Sequence, residues 1–258
     1  MKRLSENLKK KKLVVFDLDG TLTESKTDIT SEMAELFCRL FEIRRVAVIG
    51  GGSYEQFKRQ FLTKLKCSGK YFKNLFIFPT TSTVFYRYEN RKWSLVYRQN
   101  LSTTEKKKIF SAFRKTFEEL HYIKPKQIYG KLVEDRGTQV TFSALGQRAP
   151  LRLKEKWKKE NTPLKLKIAK TLQRHLPSYE VRAAGFTSID VTGKGIDKAY
   201  GIKQIKKHLG VSIKDMIFVG DALFPGGNDY AAKKTGVLCL SVSGPRETRK
   251  IIQFLLKN

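Results

Sequence analysis

The chain has no run of 18 or more apolar residues, so nothing in it reads as a membrane-spanning helix. It has only three cysteines, Cys38, Cys67 and Cys239, an odd and scattered set without metal-ligand spacing. Such a set reads as reduced thiols in a cytoplasmic protein. The basic stretch Met1–Lys12 runs into a four-residue apolar segment and then acids, so it lacks the longer apolar region of a signal peptide. There is no internal repeat and no low-complexity linker. Acidic residues are scarce: 24 Asp and Glu stand against 52 Lys and Arg, a formal net charge of +28. That balance raises the question of a nucleic-acid partner. Half of the excess falls in residues 83–190 and half outside, and no nucleic-acid-binding motif accompanies it. The reading is a lysine-rich solvated surface whose positive field favours phosphate-bearing substrates; nucleic acid is not an expected partner, and neither is a membrane.

What the chain does have is bulk for a core, with 40% apolar residues including 17 Phe and 10 Tyr. Leu13 to Phe16 reads as a short buried strand that ends in Asp17-Leu18-Asp19-Gly20-Thr21. A carboxylate is costly to bury, and strand ends are where open α/β sheets place chemistry. The helical pattern of Met33, Leu36, Phe37 and Leu40 follows, then a strand Val46–Ile49 running into Gly50-Gly51-Gly52-Ser53, then a helix through Phe57, Phe61 and Leu65. Strand, glycine turn and helix start present backbone N–H groups to a phosphate. Phe76–Pro79 adds another strand, and the alternation predicts a doubly wound parallel sheet. Near residue 83 the pattern changes to a hairpin (83–88 and 93–98), a long helix 102–120, strands at 127–133 and 138–142, a helical region 150–175 broken at Pro163, and strands at 179–182 and 188–191. This predicts an α+β domain inserted into the first, with the core at residues 1–84 and 191–258 and the insert at 85–190. The parallel pattern then resumes: helix 196–209, strand 216–219, helix 228–234, strand 237–240, and an amphipathic helix 246–256.

The second acidic strand end is Val219-Gly220-Asp221, with Asn228 and Asp229 following. In a doubly wound sheet Asp17, Asp19 and Asp221 converge although about 200 residues separate them in the chain. Carboxylates gathered at one edge repel unless a cation lies among them, and an all-oxygen set with water suits Mg²⁺. For Asp229 the competing reading is a helix N-cap. A carboxylate beside Mg²⁺ can attack phosphorus and form an aspartyl-phosphate. Lys194 and Lys198, at a helix start, are both candidates for the positive charge this needs.

The set FDLDGTLT (16–23), GGGS (50–53), SIDV with DK (188–198) and GDALFPGGNDY (220–230) resembles the haloacid dehalogenase-like superfamily of phosphotransferases. The insert resembles the type IIB cap, and with YRQN (97–100) and GTQVTFSALGQ (137–147) the chain is most similar to the eukaryotic-type phosphomannomutases. The resemblance implies a Rossmann-like core, Asp17 as nucleophile, Asp19 as general acid/base and Lys198 as the lysine steadying both nucleophile and phosphate. It implies Mg²⁺ held by Asp17, the Asp19 carbonyl and Asp221, with Asn228 and Asp229 assisting. Gly51, Gly52 and Ser53 would meet the phosphate, through either the Ser53 hydroxyl or backbone N–H groups alone. Ser188 and Asp190 match residues that hold the sugar phosphate. One departure stands out: the family's cap strand ends in Ile-Gly-Arg, whereas here Leu145-Gly146-Gln147 is followed by Arg148. A strand alternates faces, so Arg148 does not automatically replace the missing arginine; Arg136 is a second source of charge. Two activities follow from the resemblance: a mannose 6-phosphate/mannose 1-phosphate mutase activated by hexose 1,6-bisphosphate, or a sugar-phosphate phosphatase on the same site. The family also implies a homodimer through the cap, and the aromatic stretch 84–97 fits that.

Overall fold

β1 (Leu13–Asp17) is buried along its whole length, and the rest of the core is laid out on either side of it. The computed structural model describes residue 8, residues 10–24 and residues 27–257. Val14 and Phe16 face one layer of the core and Leu13 and Val15 the other, as strand alternation requires. α1 (Ser31–Ile43) begins at Thr30, whose hydroxyl accepts from the Met33 N–H. It lays Phe37 and Phe41 against the first layer, and Phe37 meets Phe16 and Phe61 edge to face at ring-centre distances of 5.7 and 5.2 Å. β2 (Arg45–Ile49), α2 (Tyr54–Gln60) and β3 (Leu75–Phe78) follow, β2 and β3 in parallel register beside β1.

The hairpin β4 (Val84–Glu89) and β5 (Lys92–Arg98) does not open the insert, as its sequence pattern predicts, but extends this sheet: Ile77 pairs antiparallel with Tyr86. Phe85 explains the difference, because it stacks on Phe78 at 4.3 Å in the second core layer. The chain then divides into two compact units, with residues 99–196 forming the second.

In that second unit α3 (Thr103–Glu119) starts with a reciprocal cap between Ser102 and Glu105. β6 (Val133–Asp135), β7 (Val140–Ser143), β8 (Tyr179–Ala184) and β9 (Ser188–Gly193) make an antiparallel sheet in the order β6-β7-β9-β8. The strand expected at 127–133 begins only at its last residue. Tyr129 instead bonds through its main chain to Leu145 and Arg148, and Gly130 takes a φ of +107°. α4 (Leu151–His175) runs through Pro163 rather than breaking there. The carbonyls just upstream are served by side chains, with Asn161 Nδ2 donating to Trp157 O and Thr162 Oγ1 to Lys158 O. Val140, Phe142, Ile189 and Val191 share one sheet face and pack with Ile109, Phe113, Ile168 and Leu172 of the two helices.

The core resumes with α5 (Lys198–Leu209), β10 (Met216–Gly220), the short α6 (Tyr230–Lys233), β11 (Leu238–Ser241) and α7 (Pro245–Leu256). The core sheet has the order β11-β10-β1-β2-β3-β4-β5, with the first five strands parallel. Two of the three expected thiols are instead a disulfide. Cys38 on α1 and Cys67, 29 residues on, lie with their Cα atoms 5.8 Å apart and are bonded; Cys239 is free. The spacing gave no sign of this, because the pair forms only once the segment after α2 folds back along α1. Among the described residues, no helix is long and apolar enough to cross a membrane.

Candidate active site

Parallel pairing puts the carboxyl ends of β1, β2 and β10 on one edge of the core sheet, where Asp17 is in register with Ile49 and Phe16 with Val219. Asp17 is 3% exposed, Lys198 3% and Asp229 0%, so three ionisable groups are shut away from water together. Lys198, the first residue of α5, donates to Asp17 Oδ1, pairs with Asp229 Oδ1 at 3.1 Å and donates to the Ile49 carbonyl at 3.3 Å. Lys194 is exposed, and of the two candidate lysines it is Lys198 that meets the acids. Asp221 is half-buried and accepts from Thr21 Oγ1 at 3.4 Å. Asp229 stands immediately before α6 but does not cap it; its Oδ2 accepts from the Ala222 N–H at 3.2 Å, seven residues back. Asn228 is half-buried beside it.

The backbone is shaped to let these groups close up. A Cβ on Gly20, which has a φ of +93°, would come within 2.5 Å of Asp221 Oδ2, and one on Gly220 within 2.3 Å of Asp229 Oδ2. Neither position accepts a side chain without moving an acid.

Oxygens from Asp17, Asp221 and Asp229 lie within 4.8 Å of one another. Burial drives the Asp17 carboxyl well above its usual range; Lys198 opposes this, while Asp229 and Asp221 add to it. Burial and the neighbouring Asp229 push Asp221 up to about 6. Burial works to lower the Lys198 ammonium, but Asp17 and Asp229 outweigh it and hold its pKa above the ordinary lysine value. Three carboxylates against one ammonium leave a deficit of two positive charges. Asp17 Oδ2 is buried and accepts no hydrogen bond. A divalent cation among oxygen ligands answers both observations, so the residues present fit Mg²⁺.

Asp19 follows β1 by two residues, and its Oδ1 accepts from Gln60 Nε2 at 3.3 Å. Ser53 is the N-cap of α2: its Oγ accepts from the Gln56 N–H at 3.3 Å. That bond uses one lone pair of the hydroxyl and leaves its hydrogen able to donate, so the cap does not exclude Ser53 from meeting an anion. Beside this turn lies a feature the sequence did not announce. Thr80, Thr81 and Ser82 are successive left-handed residues (φ 47°, 55° and 67°), and the N–H groups of Thr80 and Thr81 donate to Gly52 O and Gly50 O, each at 2.9 Å. Such strain concentrates at functional sites.

The remaining expected residues lie in the second unit. Thr141, Ser143, Ser188 and Asp190 share the sheet face opposite the helices, where Thr141 pairs with Asp190 and Ser143 with Ser188. Thr141 Oγ1 donates to Asp190 Oδ1 at 2.7 Å, and the Ser143 and Ser188 hydroxyls are 3.1 Å apart. Gln147 donates to Ser143 Oγ, and its own carbonyl accepts from the buried Lys154 Nζ at 3.1 Å. Arg148 is exposed; Arg136 is paired with Glu134 at 2.9 Å. The structure thus joins Gln147 to Ser143 and through it to Ser188, while Arg148 is exposed and the Arg136 side chain is buried beside Glu134. Thr141 and Ser143 were missed because cross-strand partners leave no mark on local spacing, and Lys154 because nothing sets it apart from the other lysines of its helix. Gln56 and Gln60 had a signal, two amides at i, i+4 beside Phe57 and Phe61 on an otherwise apolar helix face.

A family model for eukaryotic phosphomannomutase matches residues 33–258. Phosphomannomutase 2 of Dictyostelium discoideum is 28% identical over 239 residues, covering 88% of each chain. Among solved structures, the IMP-bound IMP-nucleotidase of Plasmodium falciparum superposes with a TM-score of 0.70 at 18% identity, covering 98% of this chain and 71% of the other. Trehalose-6-phosphate phosphatase of Aspergillus fumigatus gives 0.56 at 15% identity, covering 100% and 97%. At these identities the structural likeness speaks for the fold alone, a mostly parallel core sheet with an inserted second unit.

Proposed function

The chain belongs to the eukaryotic phosphomannomutase family, and from that premise we propose that it interconverts mannose 6-phosphate and mannose 1-phosphate through a phosphoryl group carried on Asp17. The observation that carries this reading is the buried set at the end of β1: Lys198 holds one oxygen of Asp17, and the other has no hydrogen-bond donor. In the first step the Asp17 carboxylate attacks phosphorus, the bond from phosphorus to the hexose oxygen breaks, and Asp19 gives that oxygen a proton. In the return step Asp19 takes the proton of an attacking hexose hydroxyl, a new phosphorus–oxygen bond forms, and the Asp17 carboxylate is released. Asp17, the Asp19 carbonyl and Asp221, with Asn228 and Asp229 assisting, are the residues that would hold Mg²⁺. When bound, that ion supplies positive charge to the phosphoryl oxygens. Lys198 keeps Asp17 oriented and adds its own charge, and the Gly51–Ser53 turn contributes N–H donors.

In the insert, Ser188 and Asp190 are the proposed holders of the sugar phosphate, with hexose 1,6-bisphosphate as activator. The proposed homodimer through the insert loses one support, because the aromatic stretch 84–97 is part of the core sheet. The cytoplasmic placement likewise loses the argument from Cys38 and Cys67 and keeps only Cys239.

Gln147 favours a second reading, a Mg²⁺-dependent sugar-phosphate phosphatase. A bidentate arginine grips a non-reacting phosphate far better than an amide does, and a mutase must keep its bisphosphate bound while it turns over. Water acts as the final acceptor in this case. The test is to incubate the protein with Mg²⁺ and mannose 1-phosphate, with and without hexose 1,6-bisphosphate, and to measure hexose 6-phosphate and free phosphate together. Isomer formed only with bisphosphate supports the mutase and sinks the phosphatase; rapid phosphate release without isomer does the reverse.

A further inference from the structure

We propose that Gln60 is a positioning residue for Asp19, oriented in its turn by Gln56; the inference rests on the phosphoenzyme reading above. Gln60 is the last residue of α2 and 2% exposed, and Gln56, one helical turn earlier, is 7% exposed. Burying two amides on a helix face is costly unless their donors and acceptors are met. Gln60 Nε2 donates to Asp19 Oδ1 at 3.3 Å, and Gln56 Nε2 donates to Gln60 Oε1 at 2.9 Å. Gln60 turns its NH₂ to Asp19 and its oxygen to Gln56, the orientation that serves a carboxylate when it is ionised and only accepts.

The relay is anchored at both ends. The main-chain carbonyl of Gln60 accepts from the Ile29 N–H at 2.8 Å, and a Cβ on Gly52 would come within 2.9 Å of the Gln56 amide carbon. Gln56 therefore packs against the glycine turn proposed to meet the phosphate, while Gln60 holds the carboxylate proposed to move the proton. The carbonyl oxygen of a protonated carboxyl still accepts, so Gln60 serves Asp19 Oδ1 in either protonation state. The proton passed to and from the hexose oxygen is then carried on Oδ2, with the carboxylate plane held in one orientation through both half-reactions.

The test exploits the leaving group. A hexose oxygen departs from phosphorus with a proton supplied by Asp19; acetate departing from acetyl phosphate needs none. Phosphoenzyme formation is followed by rapid quench with Mg²⁺ and either hexose 1,6-bisphosphate or acetyl phosphate, in wild type, Gln60→Met and Gln56→Met. Gln60→Met keeps the length and bulk of the side chain but has no donor. It is expected to slow labelling from the bisphosphate by about 10- to 100-fold, a partial loss of the ~10²–10⁴-fold that general acid catalysis contributes, with the concentration for half-maximal rate unchanged. Labelling from acetyl phosphate stays within about threefold, since no proton transfer is involved. Gln56→Met shifts the same ratio in the same direction by a smaller factor, and it decides the matter if Gln60→Met does not fold by thermal melting. Equal slowing with both donors, or none with the bisphosphate, overturns the positioning role and leaves the phosphoenzyme reading intact. A wild-type chain that labels from neither donor overturns that reading and the inference with it.

Discussion

The two units bury their polar side chains in opposite ways. At the edge of the core sheet the buried groups are charged: Asp17 and Asp229 share one ammonium, with Asp221 beside them. On the insert's sheet face away from its helices they are mainly hydroxyls and amides, Thr141, Ser143, Ser188 and Gln147, with Asp190 as the acid among them. Concentrated charge in a dry pocket does work on a phosphoryl group. A lattice of neutral donors and acceptors recognises a hydroxylated ligand and holds it in place. The proposed function gives the chemistry to the core and the choice of acceptor to the insert, in keeping with this difference.

Breaking the core side of this contrast has the largest expected effect. Lys198→Met leaves Asp17 and Asp229 buried without their cation, which costs about 3–5 kcal/mol of stability by denaturant titration. Turnover falls by about 10²–10³-fold, as for loss of a charge-stabilising donor. On the insert side, Asp190→Ala removes the acceptor of Thr141. On the proposed function it also removes a charged hydrogen bond to the hexose phosphate, worth about 1.5 kcal/mol, so kcat/KM for that substrate drops roughly tenfold. Labelling of the chain by acetyl phosphate stays unchanged. If Asp190→Ala lowers both alike, the division between the units fails.

The smallest effect is on stability against pH. The folded-state pKa of Asp221, about 6, and that of Asp17 both lie above the ordinary aspartate value of 3.8. Between about pH 4 and pH 6 the metal-free folded chain therefore binds more protons than the unfolded one, and the contribution of these acids to stability falls as pH rises through that window. Thermal melts in EDTA should show this loss. Added Mg²⁺ should restore more stability at about pH 7.5 than at about pH 5, where protons compete with it for the carboxylates. Asp190→Ala should leave that difference as it is.

The core was more legible in the sequence than the insert, for a physical reason. Asp17, Asp221 and Lys198 each sit at the end or start of a regular element, and parallel register carries all three to one edge whatever lies between them in the chain. Asp229 was ambiguous between cap and site, since both uses place an acid before a helix; only the reach of its side chain back to Ala222 separates them. Ser53 was open for another reason, the register of the glycine run, and its capping bond occupies a lone pair without using the hydroxyl hydrogen. The insert depends on cross-strand partners such as Ser143 with Ser188, 45 residues apart, which spacing does not encode. Pro163 misled because helix-breaking is a local rule, whereas Trp157 before it and Ile168 and Leu172 after it are buried in one core and hold the helix on both sides. The hairpin misled because its strands look alike in either unit; Phe85 stacking on Phe78 decides where it pairs.

The most direct test of the account is whether phosphorus becomes bonded to Asp17. Wild-type chain and Asp17→Asn are treated with Mg²⁺ and hexose 1,6-bisphosphate, quenched in acid, and analysed by intact mass and peptide mapping. The account predicts a single phosphoryl group per wild-type chain, on the peptide containing Asp17, and none on the variant. Labelling of the variant at the wild-type level would contradict it.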